Sequence, residues 1–414
     1  MEHILYSHIF NYLESNSFFA PAQHGFRRSF SCETQLLHFT HCLHAILDKN
    51  HQADCIFLDF SKAFDKVNHK LLMLKLSSLN LDPNLLTWLE CFLTNRSQYV
   101  TLNGINSSLT NVVSGVPQGS VLGPLLFLIF INDLPSCVSS SMHLYADDCV
   151  IYREVHDDDD ERILQSDLNN ITLLCKKWRM ELNPNKCKLM RLSRQGARPS
   201  AYTLTDIQLE SVNSYRYLGV TISSTLTWKP HIDIIIANAN RMLGYLRRNF
   251  RTAPVNLKLL LYNTLVRSKL EYAASIWDPN HAFLHNALEL VQNNAVRFIL
   301  SNYNRTASIS SMKSSLLLPS LSLRRKFFRL CLFHKVYHHQ SLRDHFFTLP
   351  NYYSSRLDHL NKVGLTRCQT NTFFYSFIPH TSNDWNHLPA DIATIPDYFL
   401  FRQSLFTFLF NEPT

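Results

Sequence analysis

The stretch Leu144-Tyr145-Ala146-Asp147-Asp148-Cys149-Val150-Ile151-Tyr152 sets two adjacent carboxylates between two short apolar runs rich in β-formers. That pattern predicts a tight β-hairpin with the acids at its turn. Neighbouring strand residues point to opposite faces, so a regular strand could not aim both acids at one target, whereas a turn can. Two carboxylates ~4 Å apart repel by about 4 kcal/mol at an effective dielectric near 20. A divalent cation is the usual relief. For the dipeptide alone, a solvated Asp-Asp turn is the plainer alternative.

The chain has 414 residues, enough for two or three domains, and 46% hydrophobic content, enough for most of it to fold. Its net charge of +8, beside 20 histidines counted as neutral, favours a polyanionic partner. Its ten cysteines are scattered without a CxxC pair, so neither a zinc knuckle nor a disulfide framework is indicated. A reducing, intracellular setting, nucleus or cytoplasm, is expected. The N-terminal MEHILYSHIF lacks a signal-peptide pattern, and the longest apolar run, Leu125 to Ile131, is too short to span a bilayer. No membrane partner is expected.

Residues 1–19 read as a helix with Ile4, Leu5, Ile9, Tyr12 and Leu13 on one face. Gln23-His24-Gly25-Phe26-Arg27-Arg28 is a loop signal with two cations, and Ser31 can cap a helix carrying Leu36, Leu43 and Leu47. Asp54 to Phe60 has the pattern of a buried strand, with Asp59 near its end. Helices are expected from about His69 to Leu79 and from Asp82-Pro83 onward, a good N-cap and N1 pair. Asn103-Gly104 suits a type I′ turn between Gln98–Leu102 and Leu109–Val113. Ser114 to Ser120 is a loop before a very apolar helix ending near Ile131. The run Asp157 to Glu161 reads as a solvated loop or a helix first turn. Behind it Leu164, Leu168, Ile171, Cys175, Trp178 and Leu182 step at helical spacing. Strands are expected at 187–192, 203–209 and 214–222, and helices at 231–250, 255–277 and 285–300. Residues 229–297 carry nine Lys/Arg against four acids. The Ser-rich tract 301–320 reads as a linker, and the aromatic, His-rich remainder as helical and packed.

Asp59 precedes Asp147 by 88 residues. A strand ending in Asp beside a hairpin tipped by Asp-Asp forms a plausible three-carboxylate cluster. Taken alone, Asp59 is equally a helix cap or a polar strand end. Such a cluster can hold two hard cations, with oxygen ligands at about 2.0–2.1 Å for Mg²⁺. Two metals about 3.5–4 Å apart can stabilise both the attacking and the leaving oxygen of a phosphoryl displacement.

Phe57-Leu58-Asp59-Phe60-Ser61-Lys62-Ala63-Phe64-Asp65, Gly115-Val116-Pro117-Gln118-Gly119-Ser120-Val121-Leu122-Gly123-Pro124 and Tyr145-Ala146-Asp147-Asp148 resemble motifs A, B and C of reverse transcriptases, closest to non-LTR (LINE-type) retrotransposons of the jockey-like group. Gln23 to Arg27 resembles the fingers motif, Leu182 to Cys187 motif D, and Tyr217-Leu218-Gly219-Val220 the primer-grip strand. Asp384-Trp385-Asn386-His387-Leu388-Pro389 resembles a tract seen near the end of these elements. The ordered set spans residues 23–220.

The resemblance implies an α+β right-hand polymerase: partial fingers at 1–50, a palm with an antiparallel sheet at 51–224, a helical thumb at 225–300, a linker at 301–320 and a mainly helical C-terminal extension at 321–414. It implies RNA-directed DNA synthesis from dNTPs on an RNA template and a DNA primer, with two Mg²⁺ held by Asp59, Asp147 and Asp148. Phe64 matches the steric gate against a ribose 2′-OH, where simple packing is the alternative role. Gln118 and Gly119 match residues lining the incoming nucleotide. Lys186 matches the motif D lysine, a proton donor to the leaving pyrophosphate or a neutralising charge, and Arg27 a residue contacting template or nucleotide phosphates. Compared with an intact element, the upstream endonuclease and an Arg-Pro-Ile-like strand are missing, and no RNase H pattern is visible. An N-terminally truncated element copy or fragmentary gene model is therefore expected. The rival reading is a non-catalytic RNA-binding remnant that keeps the palm as a scaffold.

Overall fold

The computed structural model describes residues 1–196, 198–354 and 358–411. It comprises two compact units, Met1–Gln35 with Asn50–Asn213, and Leu36–Lys49 with Ser214–Thr414.

The first unit contains α1 (Glu2–Ser15), the start of α2 (Cys32–Asp48), β1 (Gln52–Leu58), α3 (His69–Ser77) and α4 (Pro83–Leu93). β1 is buried at all seven positions, and its apolar residues run consecutively from Cys55 to Leu58 instead of alternating. The short strands β2 (Arg96–Gln98), β3 (Thr101–Leu102), β4 (Ile105–Asn106) and β5 (Thr110–Val112) follow. β2 pairs with β5 and β3 with β4. Asn103 and Gly104 turn the ribbon at φ 51° and 81°, both left-handed as a type I′ turn requires.

Next come α5 (Leu122–Ile131), β6 (Ser141–Tyr145), β7 (Asp148–Val155), α6 (Asp158–Trp178) and β8 (Lys188–Leu192). The acidic run opens α6 as its first turn, with Asp157 accepting from the N–H groups of Asp159 and Asp160. α5 is apolar and buried on nearly every side and packs against α1 and α3. The stretch expected as one strand at 203–209 is instead a small hairpin, β9 (Thr203–Leu204) with β10 (Ile207–Gln208). Thr205 and Asp206 break it at φ 48° and 65°. With β11 (Glu210–Ser211), the main sheet runs β11-β8-β1-β7-β6. Every pairing in it is antiparallel except β8 with β11. In α1 the buried face is Ile9, Phe10 and Leu13. Ile4 and Tyr12, expected on that face, are exposed.

The second unit takes α2 from Leu36 and then the hairpin β12 (Ser214–Tyr217) with β13 (Val220–Ser223). Helices α7 (Lys229–Asn249), α8 (Val255–Leu261), α9 (Ser268–Glu271) and α10 (Ala282–Ile299) follow, a π-helical turn at Tyr262–Arg267 joining α8 to α9. The helix expected over 255–277 ends at Glu271, and Ala273 turns the chain at φ 50°. Within the Ser-rich tract, Ser308 caps α11 (Ile309–Ser315), and Lys313 reaches Glu289 of α10. The remainder is helical: α12 (Leu321–Tyr337), α13 (Gln340–Phe346), α14 (Asn371–Phe374), α15 (Phe377–Asn386), α16 (Ala390–Ala393) and α17 (Tyr398–Asn411).

The Asp384-Trp385 tract serves this packing. Trp385 is fully buried among Phe333, Tyr337 and Phe401, and its indole N–H donates to Asn361 O at 2.8 Å. Asp384 pairs with Lys326 and Arg329 at 2.9 Å each, and Arg329 also binds Asp278, shared with Arg325. Among the described residues, no helix is long and apolar enough to cross a membrane.

Candidate active site

Strand register assembles the site. Leu58 of β1 lies opposite Cys149 of β7, so one step further Asp59 stands opposite Asp148. On the other side Phe57 lies opposite Lys188 of β8, so two steps further Asp59 faces Lys186. Tyr145 pairs with Asp148 across the hairpin, which leaves Ala146 and Asp147 as a two-residue turn. Ala146 takes φ 57°, a conformation a non-glycine residue adopts only when its surroundings impose it. Asp147 is therefore on the turn and Asp148 opens a strand, a split that aims both acids toward the end of β1.

The carboxylates feel one another. Burial raises the pKa of Asp147, its own backbone N–H opposes that, and the Asp59 charge raises it further. Asp148 is pushed up to about 6 by burial, then by Asp147 and Asp59. Among the described residues, Asp59 Oδ2 is buried without a hydrogen-bond partner, and Lys186 Nζ stands 3.6 Å from it. A bare buried carboxylate oxygen facing two further acids is a donor set suited to hard divalent cations.

The turn over residues 181–187 holds Asp59 in place. Asn183 N–H donates to Asp59 O at 2.8 Å and Ser61 N–H to Glu181 O at 2.7 Å. Asp59 N–H points at Cys187 Sγ, 3.4 Å away. Lys186 rises from this turn with its side chain 67% exposed. On the other flank, Val116 N–H donates to Phe64 O at 3.0 Å, and Gln118 Nε2 to Asp65 Oδ1 at 2.7 Å. Gly115 (φ 89°) lies so close that a Cβ would sit 2.7 Å from Asp65 O. Phe64 stacks on Phe127 at 4.1 Å between centroids, with Phe26 edge-on at 6.3 Å, so its ring is fixed rather than free to swing. Gly119 (φ 81°) has open space where a Cβ would point. A polar cavity of about 640 Å³, lined by Lys62, Arg96, Gln98 and Gln118 among others, opens beside these loops.

The turn has a brace that sequence reasoning missed. Gln23 is buried, and its Oε1 accepts from Ala146 N–H at 2.9 Å and Gly25 N–H at 2.8 Å. His24 N–H donates to Leu144 O at 2.9 Å, and Leu144 N–H to Ala22 O at 2.9 Å. A Cβ on Gly25 would meet Ala146 N at 2.3 Å. The tract read as a cationic loop is thus the backing of the acidic turn. Apart from the resemblance of Gln23 to Arg27 to the fingers motif, the local signal is a glutamine two residues before a glycine, which is too common to interpret alone. Arg27 is not brought to the carboxylates. It forms a bidentate pair with Glu14 at 2.9 and 3.0 Å, bonds Ala20 O and Gln23 O, and lies over Phe30. Contact with a phosphate would have to break that pair.

The sequence model of the family described as Reverse transcriptase (RNA-dependent DNA polymerase) matches residues 2–222. The chain belongs to this family and is of LINE type. It is 29% identical over 296 residues to the probable RNA-directed DNA polymerase from transposon BS of Drosophila melanogaster, covering 67% of this chain and 32% of that one. It is also 29% identical over 305 residues to the RNA-directed DNA polymerase from mobile element jockey of Drosophila funebris, covering 69% and 33%. The chain thus spans about a third of the length of the curated relatives it matches. A solved telomerase from Candida Tropicalis is 11% identical with a TM-score of 0.44, covering 82% of this chain and 54% of that one, a level too low to argue from. The fold is the mixed α/β reverse transcriptase fold with an antiparallel sheet and a helical C-terminal region. The family generally uses divalent metal ions.

Proposed function

We propose that this chain carries out RNA-directed DNA synthesis, joining a primer 3′-OH to the α-phosphate of a dNTP on an RNA template. The observation that carries this reading is the buried Asp59 Oδ2, without a hydrogen bond among the described residues, facing the Asp147–Asp148 turn. Asp59 and Asp147 would hold two Mg²⁺, with Asp148 the less direct ligand. When bound, such ions lower the pKa of the attacking hydroxyl and offset charge on the phosphate oxygens.

The other roles follow from the residues themselves. Phe64, held by Phe127, presents a fixed wall where a ribose 2′-OH would project, which favours dNTPs. Gly119 lets backbone approach the nucleotide closely, and Gln118 orients the loop through Asp65. Lys186, largely exposed beside Asp59, would deliver charge or a proton to the leaving pyrophosphate. Residues 1–50, 51–224, 225–300, 301–320 and 321–414 would serve as partial fingers, palm, thumb, connector and extension. In the thumb, Arg241, Arg248, Arg251 and Lys269 are exposed, whereas Lys258 is buried and bonded to Ser301. These four cations, and not Lys229, which is exposed but paired with Asp233, would track template and primer phosphates without reading sequence, so binding should weaken with salt. Ten free thiols suit a reducing compartment, nucleus or cytoplasm.

The test is primer extension on poly(rA)/oligo(dT) with Mg²⁺ and dTTP. Extension should fall by roughly 10³-fold or more in Asp147→Ala/Asp148→Ala, while duplex affinity stays unchanged. A folded wild-type chain that binds the duplex without extending it would overturn the reading in favour of a non-catalytic remnant. Equal use of rUTP would overturn the role given to Phe64.

A further inference from the structure

A second set of metal-type ligands lies in the other unit, away from any motif. His38 and Cys42 are four residues apart on α2 and so share one helix face. His345 of the short helix α13 is brought against them. One donor atom from each of the three lies within 4.8 Å of the other two. The rings of His38 and His345 are 4.1 Å apart between centroids. Phe346 presents its edge to His38 and to His41 at 5.4 Å each, so the inner side of the cluster is apolar.

We propose that His38, Cys42 and His345 bind a Zn²⁺ ion that pins α13 to α2. Two imidazoles and a thiolate are the donors a borderline-soft ion selects over Mg²⁺ or Ca²⁺. Zn–N near 2.0–2.1 Å and Zn–S near 2.3 Å place tetrahedral ligand atoms about 3.4–3.6 Å apart. The three donors therefore need to close by little more than ~1 Å. The fourth position is left to water.

The site has a structural task that fits its place. At the far end of α2, Asp48 accepts from Gln369 N–H and Thr370 N–H at 2.8 and 2.7 Å. His41 and His44 lie beside Phe373. The second half of α2 is thus a rail for the C-terminal helices, hydrogen-bonded at one end and carrying the His/Cys cluster along it. A metal joining residues 38 and 345 would close a very long loop, where a cross-link restricts the unfolded chain most. The other His/Glu cluster, His51-Glu154-His156, is accounted for by His51 and His156 both contacting Glu154, and it offers no sulfur.

The test is titration of the reduced, metal-free chain with Co²⁺ as a spectroscopic probe, followed by Zn²⁺. One equivalent should give a sulfur-to-cobalt charge-transfer band with tetrahedral d–d bands, bleached by one equivalent of Zn²⁺. Cys42→Ser should lose the charge-transfer band. His345→Ala, at an exposed position, should weaken Zn²⁺ binding by more than the ~10–100-fold that loss of an outer-shell partner costs. His51→Ala should leave the band intact. Zn²⁺ should also raise the melting temperature of the wild type and not that of Cys42→Ser, the metal-free proteins melting alike. Absence of the band in the folded wild type, or its persistence in Cys42→Ser, would overturn the proposal.

Discussion

The interior of one strand and the position just past its end treat an aspartate in opposite ways. Asp54, inside β1, is fully buried and accepts from Gln52 Nε2, Ser200 Oγ and Tyr202 OH at 2.8, 2.9 and 2.8 Å. Asp59, just past the end of the strand, keeps a buried Oδ2 with no hydrogen bond among the described residues. A buried carboxylate costs several kcal/mol unless donors surround it. At Asp54 the fold supplies them from its own side chains. At Asp59 it supplies two more acids and a lysine 3.6 Å away. The difference separates an aspartate satisfied inside the fold from the one proposed to hold a ligand: Asp54 is sealed in with its donors, whereas the Asp59 side chain stays 33% exposed with only Oδ2 buried.

The sharpest way to break that contrast is to exchange the two losses. Asp59→Asn should lower primer extension by roughly 10³-fold or more and leave the melting temperature unchanged or higher, because it removes repulsion and keeps shape. Asp54→Ala should destabilise the chain by about 3–5 kcal/mol in denaturant unfolding, since three buried donors lose their acceptor. The contrast fails if Asp59→Asn unfolds the protein or if Asp54→Ala is neutral. A middle-sized effect should come from the brace behind the turn. Gly25→Ala places a methyl 2.3 Å from Ala146 N, which no rotamer can relieve. A displacement of ~1 Å at the reacting groups can cost about 10²-fold, so extension should fall by roughly 10–100-fold with duplex affinity retained. Unchanged extension would mean the turn keeps its geometry without Gln23 and Gly25.

Much of this unit was legible in the sequence because its signals are local. The run from Asp54 to Phe60, the Asp82-Pro83 cap, the Asn-Gly turn and the apolar pair of strands around Asp147-Asp148 each declare themselves within a few residues, and the structure has them all. What stayed hidden depends on distant partners. Nothing near Gln23 announces a hydrogen bond to Ala146, nor does Glu2 reveal that its carboxylate caps the N–H groups of Val121 and Leu122. The resemblance gave Arg27 a contact with template or nucleotide phosphates, and nothing near it in the sequence announces its pair with Glu14. The same limit hid the His38-Cys42-His345 cluster, whose third member comes from the far end of the chain and follows no ligand spacing.

The smallest expected effect tests the electrostatic half of the contrast through pH. In the folded chain the pKa of Asp148 is raised to about 6, and that of Asp147 is raised as well. The fold therefore favours their protonated forms. Their contribution to stability is fully present below the unfolded carboxylate value near 4 and is lost as pH rises through about 6. His38, His41 and His44, held to about 3, 4 and 4 by burial, tilt stability the other way, because stability is lost as pH falls below their unfolded value near 6.5. The informative quantity is thus the difference between wild type and Asp148→Asn, measured as melting temperature from pH 4 to 8 without divalent metal. The wild type should lose ground to the variant across pH 4–6, by a few degrees at most on the ~2–4 °C per kcal/mol typical of domains this size. Added Mg²⁺ should reverse the sign at pH 7, since a bound cation favours the ionised acids. Parallel profiles with and without Asp148 would mean that its carboxylate is relieved by solvent, and that the charge left bare at this end of β1 is carried by Asp59 alone.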